Sequence, residues 1–286
     1  MNKSKKNFKY KHSLGQNFII DEFLLEDIAI ESGINTNDFV LEIGPGNGAL
    51  TKCLCDRVHQ VVSIEVDSSL MPLLKSNLKE YNNVSIINAD FLNIDFQNIL
   101  DEFSKFGFDK NTNHIKVVAN LPYYITSPII NNLFLNPYID EMTLMVQKEV
   151  ADRIVALPNS KNFGVLTLSC NYFSDTELIM IVSNKCFYPM PKVDSAVVQF
   201  TKHKDFLDIS NDKNFHIEDD TEYQKLFNII KASFSQRRKK LSNSLSNVLG
   251  IDKEKIYDIF SKLGFNENVR AENLSLDDYK NLMKYL

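Results

Sequence analysis

The chain has 286 residues, 44% of them apolar and 24% charged, with a net charge of -5. That balance suits one globular domain of about 200 residues plus a smaller second one, and it excludes a largely disordered chain because so large an apolar fraction can bury a core that offsets chain entropy. Four cysteines (53, 55, 170 and 186) and five scattered histidines (12, 59, 114, 203 and 216) lack the spacing of a zinc knuckle or redox pair, so no metal is expected and the thiols are read as reduced.

Residues 1–20 form a basic arm carrying Lys3, Lys5, Lys6, Lys9 and Lys11, with no acidic residue before Asp21 and no apolar core of the length a secretory leader needs. From Asn37 an apolar run, a turn and an amphipathic segment recur, the signature of strands alternating with crossover helices. Strands are predicted at 39–43, 60–66, 84–88, 115–120 and 142–147, with helices from about Ala49 and around Pro72, and a further helix around 163–168. The runs at 84–88 and 115–120 are too apolar to face water on either side, as in central parallel strands. Two last strands, 177–182 and 195–200, flank Pro189 and Pro191 with no helical period between them, so the second should return antiparallel to the first. The expectation is an α/β domain with a seven-stranded sheet ending in an antiparallel hairpin.

Beyond Lys204, the acidic residues Asp205, Asp208, Asp212, Glu218, Asp219, Asp220 and Glu222 mark a linker. Amphipathic periods then run over 223–234, 237–249, 253–263 and 276–285, with Gly250 and Gly264 at helix ends and Ser275 as a start signal. The expected organisation is the arm at 1–20, an α/β domain at 21–204 and a small all-helical domain at 205–286. No run approaches the roughly 20 consecutive apolar residues of a membrane span, so a cytoplasmic protein with no membrane contact is expected.

The strongest local motif is Glu42-Ile43-Gly44-Pro45-Gly46-Asn47-Gly48, placed after a strand and before a helix. Gly44, Gly46 and Gly48 let the backbone turn sharply and let a ligand approach without meeting a β-carbon. The spacing differs from the dinucleotide fingerprint, and no Arg or Lys in the loop offers a pyrophosphate partner. Polar residues also stand at successive strand ends, where open α/β sheets bind ligands. Glu42 and Glu65 are two of them, Glu65 being placed to accept from ribose hydroxyls. Asp90 is placed to accept from an adenine amine while Phe91 packs on the ring. A nucleoside ligand without a pyrophosphate fits S-adenosylmethionine better than a nicotinamide dinucleotide.

The fourth strand runs into Asn120-Leu121-Pro122-Tyr123-Tyr124. An exocyclic amine on a base is a poor nucleophile because its lone pair is delocalised into the ring. Two acceptors on its N–H bonds, the Asn120 side-chain oxygen and the Leu121 carbonyl, would pyramidalise the nitrogen and aim the lone pair at a methyl donor without a strong base. Pro122 fixes the turn and Tyr123 offers a stacking face for a base drawn out of its helix.

Together with Gly15-Gln16-Asn17-Phe18, Phe187-Tyr188-Pro189-Met190-Pro191-Lys192-Val193-Asp194-Ser195, residues 234–241 and Arg270-Ala271-Glu272-Asn273-Leu274-Ser275, that motif resembles the ribosomal RNA adenine dimethyltransferase family over residues 12 to 275. The similarity is to its bacterial small-subunit branch. It implies a Rossmann-like class I methyltransferase sheet and dimethylation of two adjacent adenosines near the 3′ end of 16S rRNA. It further implies that Asn17, Ile19, Gly44, Glu65, Asp90 and Asn120 contact S-adenosylmethionine, that Asn120, Leu121 and Tyr123 hold the target amine, and that Phe187 stacks on the other face of the flipped adenine. Ile19 stands where the family usually has Leu, and Ser183-Asn184 replaces a Pro-rich lead-in before Phe187, which puts the rigidity of that loop in question. Tyr124 stands where some members have Asn, and its role is open.

Beside such a site the basic clusters, Lys5, Lys6, Lys9 and Lys11 in the arm and Arg237, Arg238, Lys239 and Lys240 in the helical region, are read as phosphate contacts. Arg237 has an alternative partner in the acidic linker. The partner implied is 16S rRNA within a pre-30S particle, met by a monomer, with a role in small-subunit biogenesis. Competing readings are a large-subunit adenine dimethyltransferase of the macrolide-resistance type, a DNA amine methyltransferase, and an assembly factor without turnover. The large-subunit type typically carries Ile at the second motif position, where this chain has Leu121, and lacks the 234–241 signature.

Overall fold

A computed structural model describes residues 17–207 and 221–286. The basic arm, with Lys5, Lys6, Lys9 and Lys11, lies outside the described residues. The elements in order are β1 (Phe18–Ile19), α1 (Glu22–Glu31), β2 (Phe39–Ile43), α2 (Ala49–Cys55), β3 (Gln60–Glu65), α3 (Met71–Asn77), β4 (Val84–Asn88), α4 (Phe96–Ser104), β5 (Ile115–Asn120), α5 (Thr126–Leu135), β6 (Ile139–Gln147), α6 (Lys148–Ile154), α7 (Val165–Phe173), β7 (Ser174–Val182), β8 (Phe187–Tyr188), β9 (Ser195–Lys202), α8 (Thr221–Phe234), α9 (Leu241–Leu249), α10 (Lys253–Leu263) and α11 (Leu276–Met283).

Seven strands form one sheet in the order β4-β3-β2-β5-β6-β9-β7. β2 pairs parallel with both β3 and β5, which makes the gap between β3 and β5 at the tip of β2 the point where the strand order reverses. Every residue of β2 and β3 is buried, as expected for central strands covered on both faces. β9 runs antiparallel to β6, from Glu141 opposite Thr201 to Gln147 opposite Ser195. A separate two-stranded sheet joins β1 to β8, with Phe18 opposite Tyr188 and Ile19 opposite Phe187. Two residues are too few to show a period, so neither strand was expected from sequence.

Contacts divide the chain into two compact units. One comprises residues up to Lys148 with Glu177–Lys202, the other Glu149–Thr176 with His203–Leu286. The segment Glu149–Thr176, placed by sequence in the first domain, thus groups with the second unit. Its residues Ala156, Phe163 and Leu168 share a core with Phe227, Ile230, Leu245, Phe260 and Tyr279. The helix expected over 237–249 starts only at Leu241, after exposed turns at 235–240. Four consecutive cations repel one another in a helical turn, and Arg237 has other partners, described below.

Candidate cofactor and substrate site

A cleft of about 190 Å³ opens in the first unit at the carboxyl ends of β2 to β5, where the strand order reverses. Its glycine-rich wall follows from backbone geometry. Gly44 has φ of 72° and donates its N–H to the Ile64 carbonyl at 2.9 Å, while the space a β-carbon would enter is open to 3.8 Å from Pro122. Gly46, at φ of 60°, lies under the Phe18 ring, and a β-carbon there would come within 2.7 Å of it. Gly48 differs. It caps α2 at φ of 82°, a β-carbon there would meet Leu74 and Leu78, and it turns the strand into the helix without lining the cleft.

Glu42 and Glu65 enter the cleft from adjacent strands. The Glu42 carboxylate accepts from Thr51 Oγ1 at 2.6 Å and Ser63 Oγ at 2.8 Å, yet the residue is 1% exposed. Burial outweighs those hydrogen bonds and raises its pKa from 4.5 to about 7. Glu65 accepts from the Gly46 N–H at 3.2 Å and the Asp67 N–H at 2.8 Å, with burial again pushing its pKa up. Thr51 and Ser63 both bond Glu42 Oε2, whereas the Gly46 and Asp67 donors are divided between the two Glu65 oxygens, so acceptance from a ligand hydroxyl falls more readily to Glu65. Asp90 lines the cleft and also closes its own turn, accepting from the Leu92 N–H at 3.0 Å and Asn93 Nδ2 at 2.6 Å. Phe91 is buried beside it as an apolar wall.

On the opposite side Asn120 ends β5. Its Nδ2 donates to the Asn17 carbonyl at 3.3 Å, which sets the other corner of the amide, Oδ1, as an acceptor. Asn17, Phe18 and Ile19 all line the cleft, so the β1 strap joins the Asn120 side to the Gly46 side. The Leu121 N–H bonds to the Met145 carbonyl at 3.0 Å, fixing the next peptide. Pro122 is extended at φ -60° and ψ 125°, and the Tyr123 hydroxyl meets Ser195 Oγ at 2.6 Å. Burial raises the Tyr123 pKa, keeping the hydroxyl protonated. Sequence reasoning missed the roles of Phe18 and Ser195, although both stand in motifs it singled out, at 15–18 and 187–195.

Phe187 is not brought to the cleft. It is 2% exposed and packs with Leu24, Leu25 and Ile28, because strand alternation in β8 turns Phe187 inward and Tyr188 outward. Phe187 thus occupies a core position here, away from the cleft beside which stacking on a flipped adenine was expected. The loop before it lacks a Pro-rich lead-in but is held by hydrogen bonds. The Asn184 N–H bonds Asp194 Oδ1 at 3.0 Å, its Nδ2 bonds the Pro191 carbonyl at 3.1 Å, and Ser183 Oγ accepts from the Lys185 N–H.

In the second unit, Arg238, Lys239 and Lys240 are exposed on the turn before α9. Arg237 is instead engaged, its Nε bonding Glu272 at 2.8 Å and its Nη2 bonding the Lys161 carbonyl and, at 3.4 Å, the Ser160 carbonyl. It thus pairs with Glu272 within the second unit while remaining exposed, and the linker acids from Asp208 to Asp220 lie outside the described residues. Among the described residues no group of His, Cys, Asp and Glu could hold a metal ion, and no helix is long and apolar enough to cross a membrane.

The described residues of the cleft test well for the cofactor expected. Its glycines admit a close ligand, its carboxylates meet hydroxyl or cationic groups, Phe91 offers an apolar wall, and no Lys or Arg lines it as a pyrophosphate partner would. A parallel sheet with an antiparallel return strand, a cleft at its switch point and this donor set define an S-adenosylmethionine-dependent methyltransferase. Residues 7–286 match the family of ribosomal RNA adenine dimethylases, and the chain belongs to that family. Among its relatives, ribosomal RNA small subunit methyltransferase A of Clostridium botulinum (strain Loch Maree / Type A3) is 42% identical over 280 residues, covering 98% of this chain and 94% of the relative. The protein of the same name from Caldanaerobacter subterraneus subsp. tengcongensis is 42% identical, covering 97% of each. A dimethyladenosine transferase from Plasmodium falciparum superposes with a TM-score of 0.74 at 25% identity, over 93% of this chain and 95% of that one. The 23S rRNA methyltransferase ErmE shares the fold, with a TM-score of 0.66 at 23% identity.

Proposed function

We propose that this protein dimethylates the exocyclic amines of two adjacent adenosines near the 3′ end of 16S rRNA, acting as a cytoplasmic monomer on a pre-30S particle during small-subunit biogenesis. The observation that carries the reading is Asn120, whose amide is oriented by the Asn17 carbonyl so that Oδ1 is the acceptor offered at the cleft. The names of the relatives at 42% identity support the small subunit as the particle.

Asn17, Ile19, Gly44, Gly46, Glu65, Asp90 and Phe91 would hold S-adenosylmethionine, with Glu42 beneath them. When bound, that cofactor supplies an electrophilic methyl group on a sulfonium. The chain's own part is positioning. Asn120 Oδ1 and the Leu121 carbonyl accept the two N–H bonds of the target amine, localising its lone pair, and Tyr123, anchored by Ser195, stacks on the flipped base. No side chain strips the proton before attack, since the amine becomes acidic only once methylated.

The test is incorporation of labelled methyl groups into undermethylated small subunits. Wild-type protein should label them in preference to large subunits, and absence of labelling where an active dimethyltransferase works would refute the reading. Asn120→Ala should abolish transfer while binding of S-adenosylhomocysteine stays measurable.

A further inference from the structure

Tyr124 is the aromatic residue that the reaction described above leaves unused. It lines the cleft beside Tyr123, yet it is 55% exposed where Phe91 is buried and Tyr123 is tied down by Ser195. The backbone that carries it is not loose. Tyr123–Ile125 form a single turn of tight helix, the Ile125 N–H bonds the Pro122 carbonyl at 3.3 Å, and Thr126 Oγ1 bonds the same carbonyl at 3.2 Å and that of Tyr123 at 3.4 Å. A large ring is thus presented to solvent on a fixed turn, next to the residues that take the target base. Exposing so much apolar surface is unfavourable in the free protein, and nothing in the fold requires an aromatic ring at this place.

Extruding one base leaves its neighbour with a bare π-face, which disfavours the flipped conformation. We infer that the Tyr124 ring stacks on the nucleobase adjacent to the flipped adenine, replacing the stacking partner that flipping removes. On the proposed substrate, that neighbour is the second adenosine to be modified, so the same ring holds the strand in register between the two targets. The inference rests on the proposed function and adds a substrate-positioning residue to it. Stacking is blind to hydrogen-bond pattern, so Tyr124 acts on affinity for the extruded conformation and not on the chemistry at the amine.

The experiment is steady-state methylation of undermethylated small subunits by wild type, Tyr124→Ala, Tyr124→Phe and Tyr124→Trp, with calorimetric binding of S-adenosylhomocysteine to each. Loss of one base–aromatic stack should raise KM for the subunits about tenfold in Tyr124→Ala, with a smaller fall in kcat and unchanged S-adenosylhomocysteine affinity. Tyr124→Phe and Tyr124→Trp should restore KM, because a ring face suffices. Subunits reconstituted with an abasic nucleotide beside the target should raise KM for the wild type and add no further increase for Tyr124→Ala. A wild-type KM in Tyr124→Ala, a defect shared equally by Tyr124→Phe, additive effects of the two losses, or weakened S-adenosylhomocysteine binding would each overturn the stacking role. Failure of the wild type to label small subunits at all would instead refute the proposed function, and the inference with it.

Discussion

Glu42→Gln isolates the electrostatic strain that the cleft builds into the apo protein. Glu42 is almost fully buried, and desolvation raises its pKa from 4.5 to about 7 against the opposing hydrogen bonds from Thr51 and Ser63. Between those values the native state keeps a proton that the unfolded chain releases, so the native state binds more protons and its stability falls as pH rises, levelling off above about pH 7. A shift of that size corresponds to about 3 kcal/mol lost between about pH 4.5 and pH 8. Gln cannot ionise, and its single oxygen still accepts from Thr51 and Ser63. Without cofactor, the stability advantage of Glu42→Gln over wild type should therefore grow by about 3 kcal/mol across this range. Because two compact units need not unfold together, the readout should be local, namely hydrogen exchange of β2 amides along a urea series. Parallel stability-against-pH curves for the two proteins would refute the reasoning, as would a Glu42 carboxyl that titrates near 4.5 by carbon NMR.

The glycine loop separates two kinds of damage. Gly48→Ala should cost on the order of 1–3 kcal/mol by its left-handed backbone and its approach to Leu74, seen as a lower melting temperature, while S-adenosylhomocysteine affinity stays within a few-fold of wild type. Gly46→Ala carries the same backbone strain but also pushes Phe18 off the loop, so calorimetry should show cofactor affinity falling with stability. In the second unit, Arg237→Ala should cost about 1–2 kcal/mol and speed hydrogen exchange around residues 159–161 and 270–273, whereas Arg238→Ala leaves exchange there unchanged.

The inner sheet was legible because β2 and β3 are buried throughout and read as mostly apolar runs, whereas the central position expected for 84–88 is corrected: β4 is an edge strand with no buried residue, its apolar run being only partly covered. The convergence of strand-end residues on one cleft was legible for a related reason. Parallel topology sends every strand end to one edge, so Glu42, Glu65, Asp90 and Asn120 converge without any long-range information. What sequence could not supply was pairing between short distant segments. β1 meets β8 across most of the first unit through two residues each, and that pairing, invisible as a period, buries Phe187 and lays Phe18 over Gly46. Helix α1 was missed although Asp21 caps it, accepting from the Phe23 and Leu24 N–H groups, because its outward residues include the exposed Phe23 and Ile30 and blur the apolar stripe.

Charge shows the same limit from the other direction. A net of -5 describes the whole chain, but RNA senses the field within about a Debye length, roughly 8 Å at physiological salt. Sequence counted the run from Arg237 to Lys240 as one patch, whereas the structure turns its members to different tasks. All four are exposed, but Arg237 is held by Glu272 and two carbonyls, which takes up part of its charge, whereas Arg238, Lys239 and Lys240 stand on the same turn without that pairing. Since affinity and its salt dependence scale with the number of phosphates neutralised, the cations that count most at this turn are those not already paired with a carboxylate. Neither the global charge nor the length of a basic run is then the right statistic. The relevant one is how many cations lack an internal partner, and only the fold assigns it.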